Sequence, residues 1–139
     1  MNLKERFIKM RDDYVINQVE QVKIPLFRAE KVVRYRVTFS GRVQHVGFRL
    51  EVSELAKRLK LTGFCRNLEN GDVLAEFQGM ENKIRFLLDF MDSLKRIRIR
   101  KKRIQKLELI KDEAGFETRQ GPELNADRII GSIGSHNFP

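Results

Sequence analysis

Between residues 33 and 39 apolar and polar positions alternate. Val33, Tyr35, Val37 and Phe39 fall on one side, and Arg34, Arg36 and Thr38 on the other. A period of two marks a half-buried strand, because successive side chains of an extended chain point to opposite faces. After a short polar loop the period changes. Phe48, Val52, Leu55, Ala56 and Leu59 fall at i, i+4, i+7, i+8 and i+11, one stripe of an amphipathic helix. Leu61-Thr62-Gly63 ends it, with Gly63 suited to the turn out. A short strand over residues 64–68 then meets Glu69-Asn70-Gly71-Asp72, whose Asn-Gly pair is a strong hairpin signal. Val73, Ala75 and Phe77 alternate on the returning strand, which Gly79 closes. Ile84, Leu87, Leu88, Met91 and Leu94 predict a second helix. Ile104, Leu107, Leu109 and Phe116 lie in a final strand region broken at Glu113-Ala114-Gly115. The order strand, helix, strand, strand, helix, strand predicts an α+β fold, a ferredoxin-like βαββαβ sandwich. Its expected form is a four-stranded antiparallel sheet with two helices on one face.

The residues on either side of this pattern read as extensions. Leu3, Phe7, Met10 and Tyr14 are spaced four, three and four apart, one face of a helix, with Asp12 and Asp13 off that stripe. Pro25 stops such a helix near Lys23 or Ile24. The stripe fits a helix packed on its own domain, and equally a helix that pairs with a second copy as a homodimer or with another partner. Residues 121–139 are rich in small and polar residues without a sustained period, which predicts a flexible tail. The expected organisation is a helical extension over 1–30, a domain over 31–120 and a tail over 121–139.

Charge narrows the partners. The 139 residues carry a formal charge of +9, which favours anions. Seven of the nine residues from 95 to 103 are basic. That run reads first as a solvated loop and a charge-protected strand edge, and second as a nucleic-acid footprint. RNA-recognition domains share the βαββαβ order, but they present several aromatics on the third strand. Here Asp72-Val73-Leu74-Ala75-Glu76-Phe77 offers one aromatic and two acids, so nucleic acid is not the expected partner. Cys65 is the single cysteine, which rules out an intramolecular disulfide and fits a reducing cytoplasm. The start, MNLKERFIKM, lacks the apolar run of a secretory signal. No stretch approaches the roughly 18 apolar residues of a membrane span, so no membrane partner is expected. With two His and one Cys no metal cluster is visible, and no Ser-His-Asp arrangement stands out.

The candidate chemistry lies between the first strand and the first helix, in Gly41-Arg42-Val43-Gln44-His45-Val46-Gly47-Phe48-Arg49. A strand-to-helix loop presents backbone N–H groups that have no intrahelical partner, and the helix dipole adds to their pull on an anion. Glycine lets such a loop take the positive φ that a nest of N–H groups needs. Arg49, in the first turn, can add a planar bidentate grip on a phosphate-sized anion. The pattern is not a P-loop, because the Lys-Ser/Thr pair is missing.

This stretch resembles the signature of the acylphosphatase family, G-x-V-Q-G-V-x-F-R. The resemblance continues through Gly63-Phe64-Cys65-Arg66-Asn67, Asn70-Gly71-Asp72-Val73, Gln78-Gly79 and Gly115-Phe116-Glu117-Thr118-Arg119, and covers roughly residues 31–120. It implies hydrolysis of the carboxyl-phosphate bond of small acyl phosphates to carboxylate and inorganic phosphate, without metal or cofactor. It also implies that Arg49 holds the phosphate and that Asn67 orients the attacking water. The cradle would be the N–H groups of His45, Val46, Gly47, Phe48 and Arg49, with Gln44 as structural support. Cys65, where the family often has Val, reads as a small core residue. The alternative is a non-catalytic anion-binding or interaction module that keeps this fold. His45 is the main departure, since the family nearly always has Gly there. Either His45 is held at positive φ, or Gly47 supplies the freedom and His45 keeps an ordinary conformation. The second is the expectation taken, because the residues around it are kept.

Overall fold

The computed structural model describes residues 1–120 and 129–134. Its elements are α1 (Leu3–Glu20), β1 (Val32–Arg42), α2 (Phe48–Arg58), β2 (Thr62–Asn67), β3 (Val73–Met80), α3 (Glu81–Ser93), β4 (Arg98–Leu107), β5 (Phe116–Arg119) and β6 (Ile129–Gly134). The βαββαβ order read from the periods is present. The sheet is larger than expected: six strands in the order β5-β2-β3-β1-β4-β6. It is also mixed, because β5 runs parallel to β2 while the other neighbours are antiparallel.

The final strand region therefore splits in two. β4 pairs with β1 and β5 with β2, so the chain between them crosses the sheet. Charge explains the crossing. Arg34 and Arg36 point away from the helices and are buried with Glu76, which is cross-strand from Arg36. Glu76 accepts from Arg34 Nε at 2.9 Å and from Arg36 Nη2 at 2.8 Å. The connecting segment brings Glu113 to Arg34 at 2.7 Å, and Gln78 exchanges two 2.9 Å hydrogen bonds with the backbone of Ile110. Buried charges persist only when paired in this way. β6 occupies part of the stretch expected to be a flexible tail and pairs with residues 104–107 of β4. The rest of that expected tail, residues 121–128 and 135–139, lies outside the described residues.

On the helix side one apolar cluster joins Val33, Val37 and Phe39 to Val52, Leu55, Ala56, Ile84, Leu87, Leu88 and Met91. Burying a Leu or Phe side chain contributes roughly 1.5–3 kcal/mol, so this cluster holds α2 and α3 on the sheet. The end of α2 differs from expectation. Lys60, at φ 57°, takes the left-handed position. The N–H of Leu61 reaches the Ala56 carbonyl at 2.9 Å and that of Lys60 the Lys57 carbonyl at 3.0 Å. This is a Schellman motif, and Gly63 lies beyond it within β2.

α1 packs against α2, but not through the expected stripe. Val15 and Val19 are buried, whereas Leu3, Phe7, Met10 and Tyr14 are all more than half exposed. Arg58 of α2 donates to the Val19 carbonyl at 2.5 Å and to the Val22 carbonyl at 2.7 Å. It thus satisfies backbone oxygens at the end of α1, where a cation also opposes the helix dipole. The helix stops at Glu20, earlier than Pro25 requires. No described helix is long and apolar enough to cross a membrane.

Candidate active site

The β1–β4 register shifts between Ser40 and Gly41, two residues before β1 ends at Arg42. Gly41, at φ 127°, has no room for a side chain: a Cβ there would stand 2.3 Å from the Arg98 carbonyl oxygen. The loop that follows is pinned on both sides. Gln44 Nε2 donates to the carbonyls of Leu68 and Asp72, each at 2.8 Å, tying the loop to the β2–β3 hairpin. Arg96 Nε donates to the Val46 carbonyl at 2.8 Å, and its Nη2 pairs with Glu51 at 2.5 Å. Burial pushes the Glu51 carboxyl above its ordinary range, opposed by Arg96. Arg96 and Lys102, which pairs with Asp92, take part in the fold, so the basic run is not wholly a solvated edge.

α2 starts with Gly47 at its N-cap, φ 79°, and no side chain caps it. Glu51 N–H is bonded back to the Gly47 carbonyl at 3.0 Å. The N–H groups of Phe48, Arg49 and Leu50 precede it and have no intrahelical acceptor, an arrangement that can receive an anion. Phe48 itself turns inward, edge-on to Phe39 with ring centroids 4.8 Å apart.

The cavity in front of this helix start has a volume of about 450 Å³. Arg49, Asn67, His45, Gly47 and Phe48 line it together. Arg49 makes no hydrogen bond or ion pair with another described residue. Asn67 Oδ1, at the end of β2, is buried without a hydrogen-bond partner among the described residues. Gln44 and Val46 do not line the cavity; they shape the loop behind it. Thr118 of β5 joins the lining and shares a 3.0 Å hydrogen bond with Ser53. So do Lys4, Ile8, Arg11 and Asp12 of α1, none of which the sequence reading selected. Their spacing of four, three and one, leading on to Val15, is helical, but its mixed polarity hides it from a search for apolar stripes. Among the described residues no three His, Cys, Asp or Glu side chains stand together as metal ligands.

Two side chains need separate comment. His45 has φ 64°, in the left-handed region, so the expectation of an ordinary conformation is corrected: both His45 and Gly47 turn the loop. Its imidazole is exposed. A side chain held there costs roughly 1–2 kcal/mol, while a glycine costs about 0.5–1 kcal/mol in unfolded-chain entropy. His45→Gly is therefore expected to be neutral or to stabilise by up to about 1 kcal/mol, and the β-branched His45→Val to destabilise. Urea midpoints of the three proteins check this, and a clear loss on His45→Gly would contradict it. Cys65 lies behind the site, fully buried. Burial pushes its thiol up to about 12, against the opposing charge of nearby Arg49. Native protein at pH 8 should leave Cys65 unmodified by iodoacetamide, whereas urea-unfolded chain should react. Fast native alkylation would show that water reaches β2.

In this small α+β domain an uncapped helix start faces a cavity lined by Arg49 and Asn67, and among the described residues neither the guanidinium nor the amide oxygen has a hydrogen-bond partner. Comparison with known proteins gives the family. The acylphosphatase family model matches residues 35–118, and the chain belongs to that family. An acylphosphatase of Clostridium beijerinckii is 45% identical over 65 residues, 47% of this chain and 69% of the relative. One of Clostridium perfringens is 48% identical over 54 residues, 39% of this chain and 61% of the relative. The solved structure of an acylphosphatase from Coxiella burnetii is 29% identical with a TM-score of 0.57, covering 63% of this chain and 93% of that one. α1 lies outside the residues matched by the family model.

Proposed function

We propose that the protein hydrolyses the carboxyl-phosphate bond of small acyl phosphates, using Arg49 and the N–H groups of His45 to Arg49 to hold the phosphoryl group and Asn67 to orient water. The observation that carries this is the meeting of an unpaired guanidinium and an orphaned amide oxygen at one uncapped helix start. Family membership supports the reaction class. Water donates one hydrogen bond to Asn67 Oδ1 and turns a lone pair to phosphorus. The new O–P bond forms as the bond to the acyl oxygen breaks, and the carboxylate leaves with that electron pair while the water's proton passes to a phosphoryl oxygen of the product phosphate. The leaving group is good, so positioning and charge stabilisation suffice without a strong base.

Phosphate release from benzoyl phosphate by the full chain tests the proposal. Turnover well above the solution rate, with inorganic phosphate as a competitive inhibitor, supports it. Phosphate binding without turnover would favour the non-catalytic module.

A further inference from the structure

The cavity has a wall that the proposed reaction does not use. α1 crosses the loop at Gly47, where a Cβ would stand 3.2 Å from Val15 Cγ2. Val15, Val19 and the Arg58 bonds seat the helix. Toward its N-terminus the same face turns to the cavity with Arg11, Ile8 and Lys4. Their chemistry is graded. Arg11 is committed: its Nη2 and Nε hold Asp12 at 2.9 and 3.1 Å, and Nη1 leans on the His45 carbonyl at 3.4 Å. Ile8 offers an apolar surface, partly exposed. Lys4 has no ion-pair partner among the described residues. At a 1.5 Å rise per residue it stands about 10 Å along the axis from Arg11, away from the cradle.

Phosphate bound at Arg49 would therefore leave its acyl group facing α1, apolar first and cationic beyond. The cavity is far roomier than a two-carbon acyl phosphate requires, and its volume falls within the range of ordinary ligand pockets. We infer that α1 is the acyl-recognition wall and that Lys4 binds a second anionic group, a carboxylate or phosphate, at the far end of the acyl moiety. This rests on the proposed acyl-phosphate reading. Ile8 covers the carbon skeleton, and Arg11, braced by Asp12, links the helix to the loop through the His45 carbonyl. Lys4 is exposed, so its attraction is screened by salt and modest in size.

Benzoyl phosphate and 4-carboxybenzoyl phosphate form the test pair, because the para carboxylate lengthens the acyl group by one anion without reaching the reacting carbonyl. Wild type is expected to favour the carboxylated substrate in kcat/KM by about threefold to tenfold at low salt. The preference should shrink in high salt, vanish in Lys4→Met, reverse in Lys4→Glu and survive in Lys4→Arg. Calorimetric binding of benzylphosphonate and 4-(phosphonomethyl)benzoate to the same proteins reads the subsite independently of turnover. A ratio near one in both measurements, or one that Lys4→Met leaves unchanged, overturns the inference while leaving hydrolysis of both substrates intact. Absence of hydrolysis with the phosphonate preference intact would instead overturn the reaction and keep the Lys4 subsite.

Discussion

Arg49→Ala is expected to lower kcat/KM for benzoyl phosphate by at least about 100-fold and to abolish most inhibition by inorganic phosphate. Arg49 stands in the first turn of α2, lines the cavity and has no hydrogen bond or ion pair with another described residue. Two hydrogen bonds from a guanidinium to a phosphoryl group are worth about 1.5–3 kcal/mol each, and 1.4 kcal/mol is tenfold in rate. Arg49→Lys should recover little, because an ammonium has no planar fork. Removing the side chain leaves no buried partner uncompensated, so the thermal midpoint should stay close to wild type. Turnover near wild type in Arg49→Ala would contradict the assignment.

Asn67→Ala separates chemistry from binding. Its Oδ1 is buried and has no hydrogen-bond partner among the described residues, and a water at that point would satisfy it. If that water is the nucleophile, kcat should fall by about 100-fold or more, as when a positioned transition-state contact is removed. The inhibition constant of inorganic phosphate should move little, because Arg49 and the helix start remain. Parallel losses of phosphate affinity and kcat would show that Asn67 binds the anion instead.

Much of the fold was legible because its signals are local periods. The alternation of β1 and the stripes of α2 and α3 each reflect one buried face, so their starts and packing residues were read closely. β5 was read as part of the final strand region, but its place in the sheet was not: in a four-residue strand only Phe116 is buried, and nothing in its spacing encodes a parallel partner. The crossing that carries the chain there depends on Glu113 meeting Arg34, a contact between residues far apart in sequence. The α1 stripe did not mark the face that packs on the domain. Leu3, Phe7, Met10 and Tyr14 form a regular apolar face that stays exposed, while the packing face mixes Arg11 with Val15 and Val19. The candidate site divides in the same way. Arg49 and Asn67 were visible through motifs on adjacent elements, whereas the Lys4–Asp12 wall appears only once α1 is laid over the loop. His45 is a further case: a sequence names the residue, but the sign of φ follows from the closure of the loop around it.

The central claim is attack of water on phosphorus in this cavity. Its most direct test is hydrolysis of benzoyl phosphate by the full chain in ¹⁸O-enriched water, with both products analysed by mass. The account predicts enzyme-dependent release in which the label enters phosphate and the benzoate stays unlabelled. Label in benzoate, or release no faster than in solution, would contradict it.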